Sequence, residues 1–196
     1  MRTRDIDKQK LVKQKAIDLL VQDGFEGFSV NKLAKACGIS VATLYIYYKD
    51  KDDLIIQIGI EEAERLTAEI LKDFNPDLSF AEGLRHQWKN RSEQLLKNPQ
   101  SAKFFEQLRS STYNERIHSF IVGQFKEVMG KFMMKAISNR EINPMPVDIF
   151  WSVAYAPLYN LIRFHHEGKG LTGQPFVLTE DILWQTCDLV IKALKK

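Results

Sequence analysis

The chain encodes two short helical segments joined by a glycine turn in the stretch Ser29-Val-Asn-Lys-Leu-Ala-Lys-Ala-Cys-Gly-Ile-Ser-Val-Ala-Thr-Leu-Tyr-Ile-Tyr-Tyr48. A serine, a common helix-capping residue, precedes each segment. Gly38 can adopt positive φ at little cost, as a sharp turn requires, and Ala34 is small where the helices must cross. The apolar residues are spaced to meet in one small core: Leu33, Cys37, Ile39 and Leu44. This pattern predicts a helix-turn-helix whose second helix, 41–47, is sized for the major groove of DNA; an ordinary helical hairpin is the alternative.

Helical periodicity continues on both sides of this stretch. Apolar residues recur at three- and four-residue intervals, and no segment alternates with the two-residue period of a strand. Candidate caps are Ser79, with Glu82 three residues later, and Thr179. We therefore predict an all-α fold of about nine helices, at residues 6–22, 30–37, 41–47, 52–73, 80–97, 99 onward, 113–137, 147–166 and 179–194.

The composition places the chain among ordinary globular proteins. Of 196 residues, 44% are apolar and 27% are charged, with a net charge of +3, which excludes a disordered polyelectrolyte. Cys37 and Cys187 are too few for a disulfide scaffold, so a reducing compartment is expected. The most apolar stretch, 149–162, is shorter than the ~18 residues of a membrane span, and the N-terminus lacks the apolar core of a signal peptide. We expect a cytoplasmic protein with no membrane partner.

Positive charge is concentrated at the N-terminus. Residues 1–51 hold ten Lys or Arg and six Asp or Glu, a net charge of +4, and the remaining residues carry −1. Four of these lysines are closely spaced: Lys8, Lys10, Lys13 and Lys15. A basic end on a near-neutral body indicates a polyanionic partner, although a merely solvated helix face would have the same charge pattern.

The segment Gly38-Ile-Ser-Val-Ala-Thr-Leu-Tyr-Ile-Tyr-Tyr-Lys-Asp-Lys-Asp-Asp-Leu54 resembles the signature of the tetracycline-repressor (TetR) family, Gly-Val-Ser-x-x-Thr-Leu-Tyr-x-Tyr-Phe-x-x-Lys-x-x-Leu. The resemblance covers about residues 8–60. It implies an all-α homodimer with an N-terminal three-helix DNA-binding domain, 1–51, and a C-terminal helical domain, 52–196, for ligand binding and dimerisation. The implied function is that of a repressor that binds a pseudo-palindromic operator and is released by a small inducer.

The resemblance also assigns a DNA-contacting face. Base reading is expected mainly through contact with thymine methyl groups, and Lys51 is expected to bind a phosphate by charge. Val41 stands where many members have Lys or Arg, so this helix lacks a bidentate guanine reader and we expect more reliance on DNA shape. The residues carried over are Ser29, Val30, Asn31, Ser40, Val41, Ala42, Thr43, Tyr45, Tyr47, Lys49 and Lys51.

The C-terminal helices are apolar on several sides and must therefore be buried on several sides. We expect one side to meet the domain core and another to meet a second copy, so that helices 147–166 and 179–194 form the dimer and place two recognition helices one DNA turn, ~34 Å, apart. Large aromatic residues and methionine predict a pocket for a mainly apolar, aromatic or acyl inducer. The candidate lining residues are Trp88, Phe105, Arg109, Tyr113, Phe120, Phe125, Met129, Trp151, Tyr155 and Tyr159.

Enzymatic motifs are weak. Gly168-Lys-Gly-Leu-Thr-Gly173 matches a dinucleotide-binding pattern but follows a helix instead of a strand. His165-His166-Glu167 lacks the further ligands that a metal site needs, and no nucleophile and base form a recognisable pair. We expect no enzyme activity and no metal or cofactor beyond an unidentified effector. The alternatives are a DNA-binding protein that does not respond to a ligand and, less favoured, a helical-bundle enzyme.

Overall fold

The computed structural model describes the backbone of residues 2–196 and the side chains of residues 7–119, 123 and 125–196. Within these residues the fold is all-α, as predicted, with isolated bridges at Ile142–Lys195 and Lys169–Pro175 as its only β pairings. No described helix is both long enough and apolar enough to cross a membrane. The helices are α1 (Arg2–Gly27), α2 (Val30–Cys37), α3 (Val41–Leu44), α4 (Lys51–Ile70), α5 (Phe80–Lys97), α6 (Pro99–Leu108), α7 (Asn114–Ser138), α8 (Val147–Ala154), α9 (Ala156–Glu167) and α10 (Glu180–Leu194).

The described chain has ten helices instead of nine because the predicted helix 147–166 is broken. Tyr155 has φ −125 and ψ −30, and Pro157 lies in the first turn of α9. Proline lacks an N–H and its ring clashes with the preceding turn, so a continuous helix cannot run through this position. The predicted recognition helix 41–47 is also shorter than expected, because α3 ends at Leu44 and a turn follows.

The chain divides into two compact units. Unit 1 contains the chain up to Arg65 together with Asn98–Val122, and unit 2 contains Leu66–Lys97 together with Gly123–Lys196. These units do not coincide with the expected boundary at residue 51, because α6 and the start of α7 pack with the N-terminal helices. The functional division at residue 51 stays a prediction.

Unit 1 has an apolar core built mainly on α1, α2, α4 and α6. The predicted small core residues Leu33, Ala34 and Leu44 are buried, and Cys37 and Ile39 pack against them. Phe25 lies with its ring centroid 5.6 Å from that of Phe104 on α6. The core therefore extends well beyond the three N-terminal helices.

A buried carboxylate ties three helices of unit 1 together. Glu62 on α4 accepts hydrogen bonds from Arg65, the shortest from Nη2 at 2.6 Å, and its Oε2 lies 3.4 Å from Nζ of Lys13 on α1. Burial alone would raise the pKa of this carboxyl, but the hydrogen bonds from Arg65, the polar Ser101 hydroxyl on α6 and the nearby positive charges outweigh it and lower the pKa.

Unit 2 packs α5 against α9 and α10. The predicted capping box starts the unit's α5: Ser79 N–H donates to Oε2 of Glu82 at 3.2 Å, and Glu82 N–H donates to Oγ of Ser79 at 3.4 Å. Thr179 caps α10, as predicted, by accepting the N–H of Ile182 at 3.3 Å. The buried face of α5 presents large residues to the core: Phe80, Leu84 and Trp88.

Candidate nucleic-acid interface

The turn between α2 and α3 is fixed by backbone geometry. Gly38 has φ 65 and ψ 31, a left-handed conformation in which a side chain would be strained. The N–H of Ile39 donates to the carbonyl oxygen of Ala34 at 3.0 Å, which closes the end of α2. Two helices joined in this way form the predicted helix-turn-helix.

The helix α3 begins with a side-chain cap. Oγ of Ser40 accepts the N–H of Thr43 at 3.1 Å and also lies 2.9 Å from Oγ1 of Thr43. Buried Leu44 anchors the other side of the helix, and its carbonyl oxygen accepts the N–H groups of Tyr47 and Tyr48 at 3.0 Å each. The short helix is thus held at both ends, and its remaining face is directed outward.

Tyr48 anchors the segment after α3 in the core. Its side chain is buried, and burial, reinforced by the negative charges of Glu61 and Asp53, raises the pKa of Tyr48 to about 12. The phenol therefore stays uncharged at neutral pH. Tyr45 and Tyr47, by contrast, remain exposed and half-buried respectively.

Reciprocal hydrogen bonds begin α4 beside this segment. Oδ1 of Asp50 accepts the N–H of Asp53, and Oδ2 of Asp53 accepts the N–H of Lys49, each at 2.8 Å. Hydrogen bonds from Gln57 and from the Lys49 backbone lower the pKa of Asp53. Nζ of Lys51 lies 6.0 Å from the ring centroid of Phe28, a cation–π arrangement that positions this ammonium group.

The predicted DNA-contacting residues differ in exposure. Asn31, Ser40, Ala42, Tyr45 and Lys49 are exposed, and Ser29, Val41, Thr43, Tyr47 and Lys51 are half-buried. Val30 is the exception, because its side chain is only 9% exposed and lies in the core of unit 1. The Val30 side chain is thus not part of this surface, and a DNA contact through its backbone stays a prediction. Ser29 precedes α2 with extended φ and ψ but makes no side-chain cap hydrogen bond.

Ile46, which the predicted DNA-contacting set does not include, is also exposed next to α3. It is 76% exposed, more than its large apolar neighbours in the helix-turn-helix. Its position two residues after the buried Leu44 and next to exposed Tyr45 was the available signal. A large apolar side chain held in water at the end of a recognition helix is suited to contact with a thymine methyl group.

The basic charge at the N-terminus is partly neutralised. Nζ of Lys32 lies 2.8 Å from Oδ2 of Asp23, and Lys13 pairs with Glu62. Lys8 and Lys10 remain exposed on α1, as does Lys35 on α2. Polyanion attraction on this surface therefore depends on fewer lysines than the sequence count implies.

The predicted pocket residues fall in both units. Phe105 and Tyr113 are half-buried in unit 1, where Oη of Tyr113 donates to Oδ1 of Asp52 at 2.6 Å, and Arg109 is exposed there. The side chain of Phe120 lies outside the described residues. The others belong to unit 2: Trp88, Phe125, Met129, Trp151, Tyr155 and Tyr159.

The histidine pair at the end of α9 has a structural role in unit 2. Nδ1 of His165 accepts the N–H of Leu178 at 3.1 Å, which holds the loop before α10 against α9. Among the described residues, no group of three or more His, Cys, Asp and Glu side chains is arranged to bind a metal ion.

Comparison with known proteins gives the family of the helix-turn-helix. The sequence model of the tetR family of bacterial regulatory proteins matches residues 14–58. An HTH-type transcriptional regulator of Haemophilus influenzae is 35% identical over 81 residues, which are 41% of this chain and 43% of that protein. The chain is thus aligned with less than half of the length of this relative.

Two solved structures share the fold over the whole chain. A TetR family transcription regulator from Marinobacter aquaeolei VT8 is 24% identical with a TM-score of 0.87 and covers 100% of both chains. The transcriptional regulator FadR from Bacillus subtilis, in complex with stearoyl-CoA, is 16% identical with a TM-score of 0.76 and covers 95% of this chain and 99% of its own. The helix-turn-helix segment, residues 14–58, thus matches the tetR family of bacterial regulatory proteins, and the fold of the whole chain is similar to that of a solved TetR family regulator.

Proposed function

We propose that the protein is a dimeric transcriptional repressor that binds a pseudo-palindromic operator and is released by a small, largely apolar ligand. The outward face of α3 carries this proposal. The Ser40 cap and the buried Leu44 fix the helix, while Ala42, Tyr45 and Ile46 are left exposed. A capped helix with an exposed alanine, followed by exposed aromatic and aliphatic side chains, suits contact with a major groove rich in thymine methyl groups.

Polar groups around α3 supply the phosphate contacts in this proposal. Asn31 on α2 and Lys49 after α3 are exposed, and Lys51 begins α4. Such contacts fix the position of the protein on the duplex without reading sequence. Position 41 holds a valine and not an arginine or lysine that could bind guanine. This supports a sequence specificity that depends partly on DNA shape.

Exposed apolar residues on unit 2 support dimerisation through α8, α9 and α10. Leu189 on α10 is 63% exposed, and Ile149 on α8 is exposed as well. On α10, Leu183 and Cys187 are buried in unit 2, whereas Leu189 lies on another side of the helix and stays outside the core. Large apolar side chains exposed to solvent can mark an interaction surface, and a two-fold axis would bring two such surfaces together.

Ligand-dependent release is supported by the aromatic content of unit 2 and by the likeness of the fold to FadR, which was crystallised with stearoyl-CoA. In the proposed mechanism the ligand binds better to the form whose two DNA-binding surfaces are spaced incorrectly for the operator. A tenfold loss of DNA affinity requires ~1.4 kcal/mol of differential binding. The alternative function is that of a regulator that binds DNA and responds to no ligand.

Selection of binding sites from random duplex DNA tests the proposal. The full-length protein is expected to enrich a pseudo-palindromic sequence with half-sites about 10 base pairs apart. Fluorescence anisotropy on the enriched duplex, with and without apolar acids, alcohols and aromatic compounds, then measures release. Enrichment of no sequence would contradict operator recognition, and an operator that no compound releases would favour the regulator without a ligand.

A further inference from the structure

A buried arginine stands in the interior of unit 2. Arg91 on α5 is only 6% exposed, and no carboxylate in the described part of the chain forms an ion pair with it. Arginine is almost never fully buried unless it is paired. Its positive charge is thus held in a low-dielectric interior without an opposite charge on the protein.

Neutral groups surround the guanidinium. Nη1 donates to Oη of Tyr159 at 2.8 Å, and Nη2 donates to Oε1 of Gln87 at 3.3 Å. The guanidinium carbon lies 4.3 Å from the ring centroid of Tyr155 and 5.3 Å from that of Phe125. Cation–π contacts stabilise the charge, but they leave it uncompensated.

Hydrogen-bonding capacity is also left over at this position. Nε of Arg91 is buried, and no acceptor among the described residues takes its hydrogen. The buried hydroxyl of Tyr155 interacts with the Arg91 guanidinium but completes no hydrogen bond of normal geometry. Burial raises the pKa of Tyr155 to about 12, so this hydroxyl stays protonated and can donate. Buried polar groups left over in this way indicate a missing partner.

We propose that unit 2 binds an organic carboxylate, with its anionic group on Arg91 and Tyr155 and its apolar body among the surrounding aromatic rings. This inference rests on the proposed function and names the chemical class of its ligand. A carboxylate supplies the missing charge and accepts in the planar geometry that a guanidinium offers. The acid is either a fatty acid or an aromatic acid, because both combine this head group with an apolar body.

A partly exposed aromatic pair, Trp151 and Tyr159, lies next to Arg91. The ring of Trp151 stacks on that of Tyr159 at 5.6 Å with an interplanar angle of 18°, and Trp151 is 41% exposed. Tyr159 in turn accepts the hydrogen bond from Arg91. An anion that accepts this hydrogen bond in place of Tyr159 must displace Tyr159 and disturb the stack. Binding of the anion should therefore change the fluorescence of Trp151.

Matched probes test the proposal on the full-length protein. Dodecanoate and 2-naphthoate represent the two kinds of acid, and methyl dodecanoate and methyl 2-naphthoate are their uncharged counterparts. Binding is measured by tryptophan fluorescence and by the melting temperature. At least one acid is expected to bind more than about tenfold tighter than its ester, and the acid that does so identifies the ligand type.

Variants test whether Arg91 is the residue that causes the preference for the acid over its ester. Arg91→Met, which keeps an apolar side chain of similar length, is expected to bind acid and ester equally, whereas Arg91→Lys retains part of the preference. Arg85→Met is the control, since Arg85 lies on the same helix but is more exposed and pairs with Asp188. The preference should survive that change.

Three results overturn the inference: acid and ester bind the wild-type protein equally, neither acid binds, or Arg91→Met keeps the preference for the acid. If other compounds still release the operator in any of these cases, the proposed function stands and only the carboxylate assignment fails. Absence of any selected operator is the separate result that removes the proposed function.

Discussion

Gly83 on α5 is a position where a single added methyl group should destabilise unit 2. A β-carbon there would stand 2.5 Å from Cζ and 3.2 Å from Cδ2 of Phe132, well inside van der Waals contact. Phe132 is fully buried, stacked at 6.2 Å on Phe80 and in edge contact at 5.4 Å with Phe74. Its ring is confined by these neighbours, so the overlap cannot be relieved by a simple rotation.

The expected cost is the difference between two opposing terms. Overpacking of a well-filled core costs about 1–3 kcal/mol, and we place Gly83→Ala at the upper end because the clash is with a confined ring. The gain in helix propensity from glycine to alanine is about 1 kcal/mol. The net loss of unfolding free energy is therefore about 2 kcal/mol, a decrease of roughly 4–8 °C in the melting temperature.

Gly130→Ala is the matched control for this change. Gly130 lies on α7 in the same unit, and a β-carbon there would meet nothing within 4 Å. The Gly130→Ala variant should therefore gain the higher helix propensity of alanine without a clash and be stabilised by up to about 1 kcal/mol. Thermal and urea unfolding of both variants measure the difference. A Gly83→Ala protein as stable as the wild type, or a Gly130→Ala protein destabilised to the same extent, would refute the packing argument.

Three further changes test the account. Glu62→Gln should lower the unfolding free energy at neutral pH and make that free energy less dependent on pH in acid, as measured by urea unfolding. A carboxyl whose pKa is lowered in the folded protein stabilises the fold above its unfolded pKa, and this contribution is lost as the pH falls through the folded pKa. An unchanged acid sensitivity would contradict this role of Glu62. Lys51→Ala should weaken binding to all duplexes and reduce the salt slope by roughly one unit, whereas a change in one preferred base would show that the lysine reads sequence. Leu189→Glu should produce a monomer at micromolar concentration in sedimentation, and a persistent dimer would place the interface elsewhere.

Local chemistry was sufficient to predict the helix-turn-helix. Gly38 and Ser40 act through contacts within a few residues, so the turn and the start of α3 followed directly from their sequence positions. The same holds for the capping box at Ser79. These features depend on backbone hydrogen bonds that a short segment makes by itself.

Long-range packing explains what the sequence could not show. The inclusion of α6 in unit 1 depends on contacts such as Phe25 with Phe104, which join residues far apart in the chain. The break near Pro157, by contrast, had a local signal in the proline itself, but the apolar pattern continues on both sides of Tyr155 and predicted one unbroken helix.

Arg91 was overlooked because arginine usually faces solvent. It nevertheless follows Phe80, Leu84 and Trp88 on α5 at helical spacing, which places it on the buried face. A charged residue in register with an apolar stripe was therefore the available signal.

Footprinting of the full-length protein on its selected operator tests most directly whether two copies of α3 enter the groove together. We predict two protected half-sites related by a dyad, with their centres about one helical turn apart on one face of the duplex, and a complex whose mass corresponds to an even number of protomers. A single protected half-site occupied by one protomer, or uniform protection without a dyad, would contradict the binding of two copies of α3 to one operator.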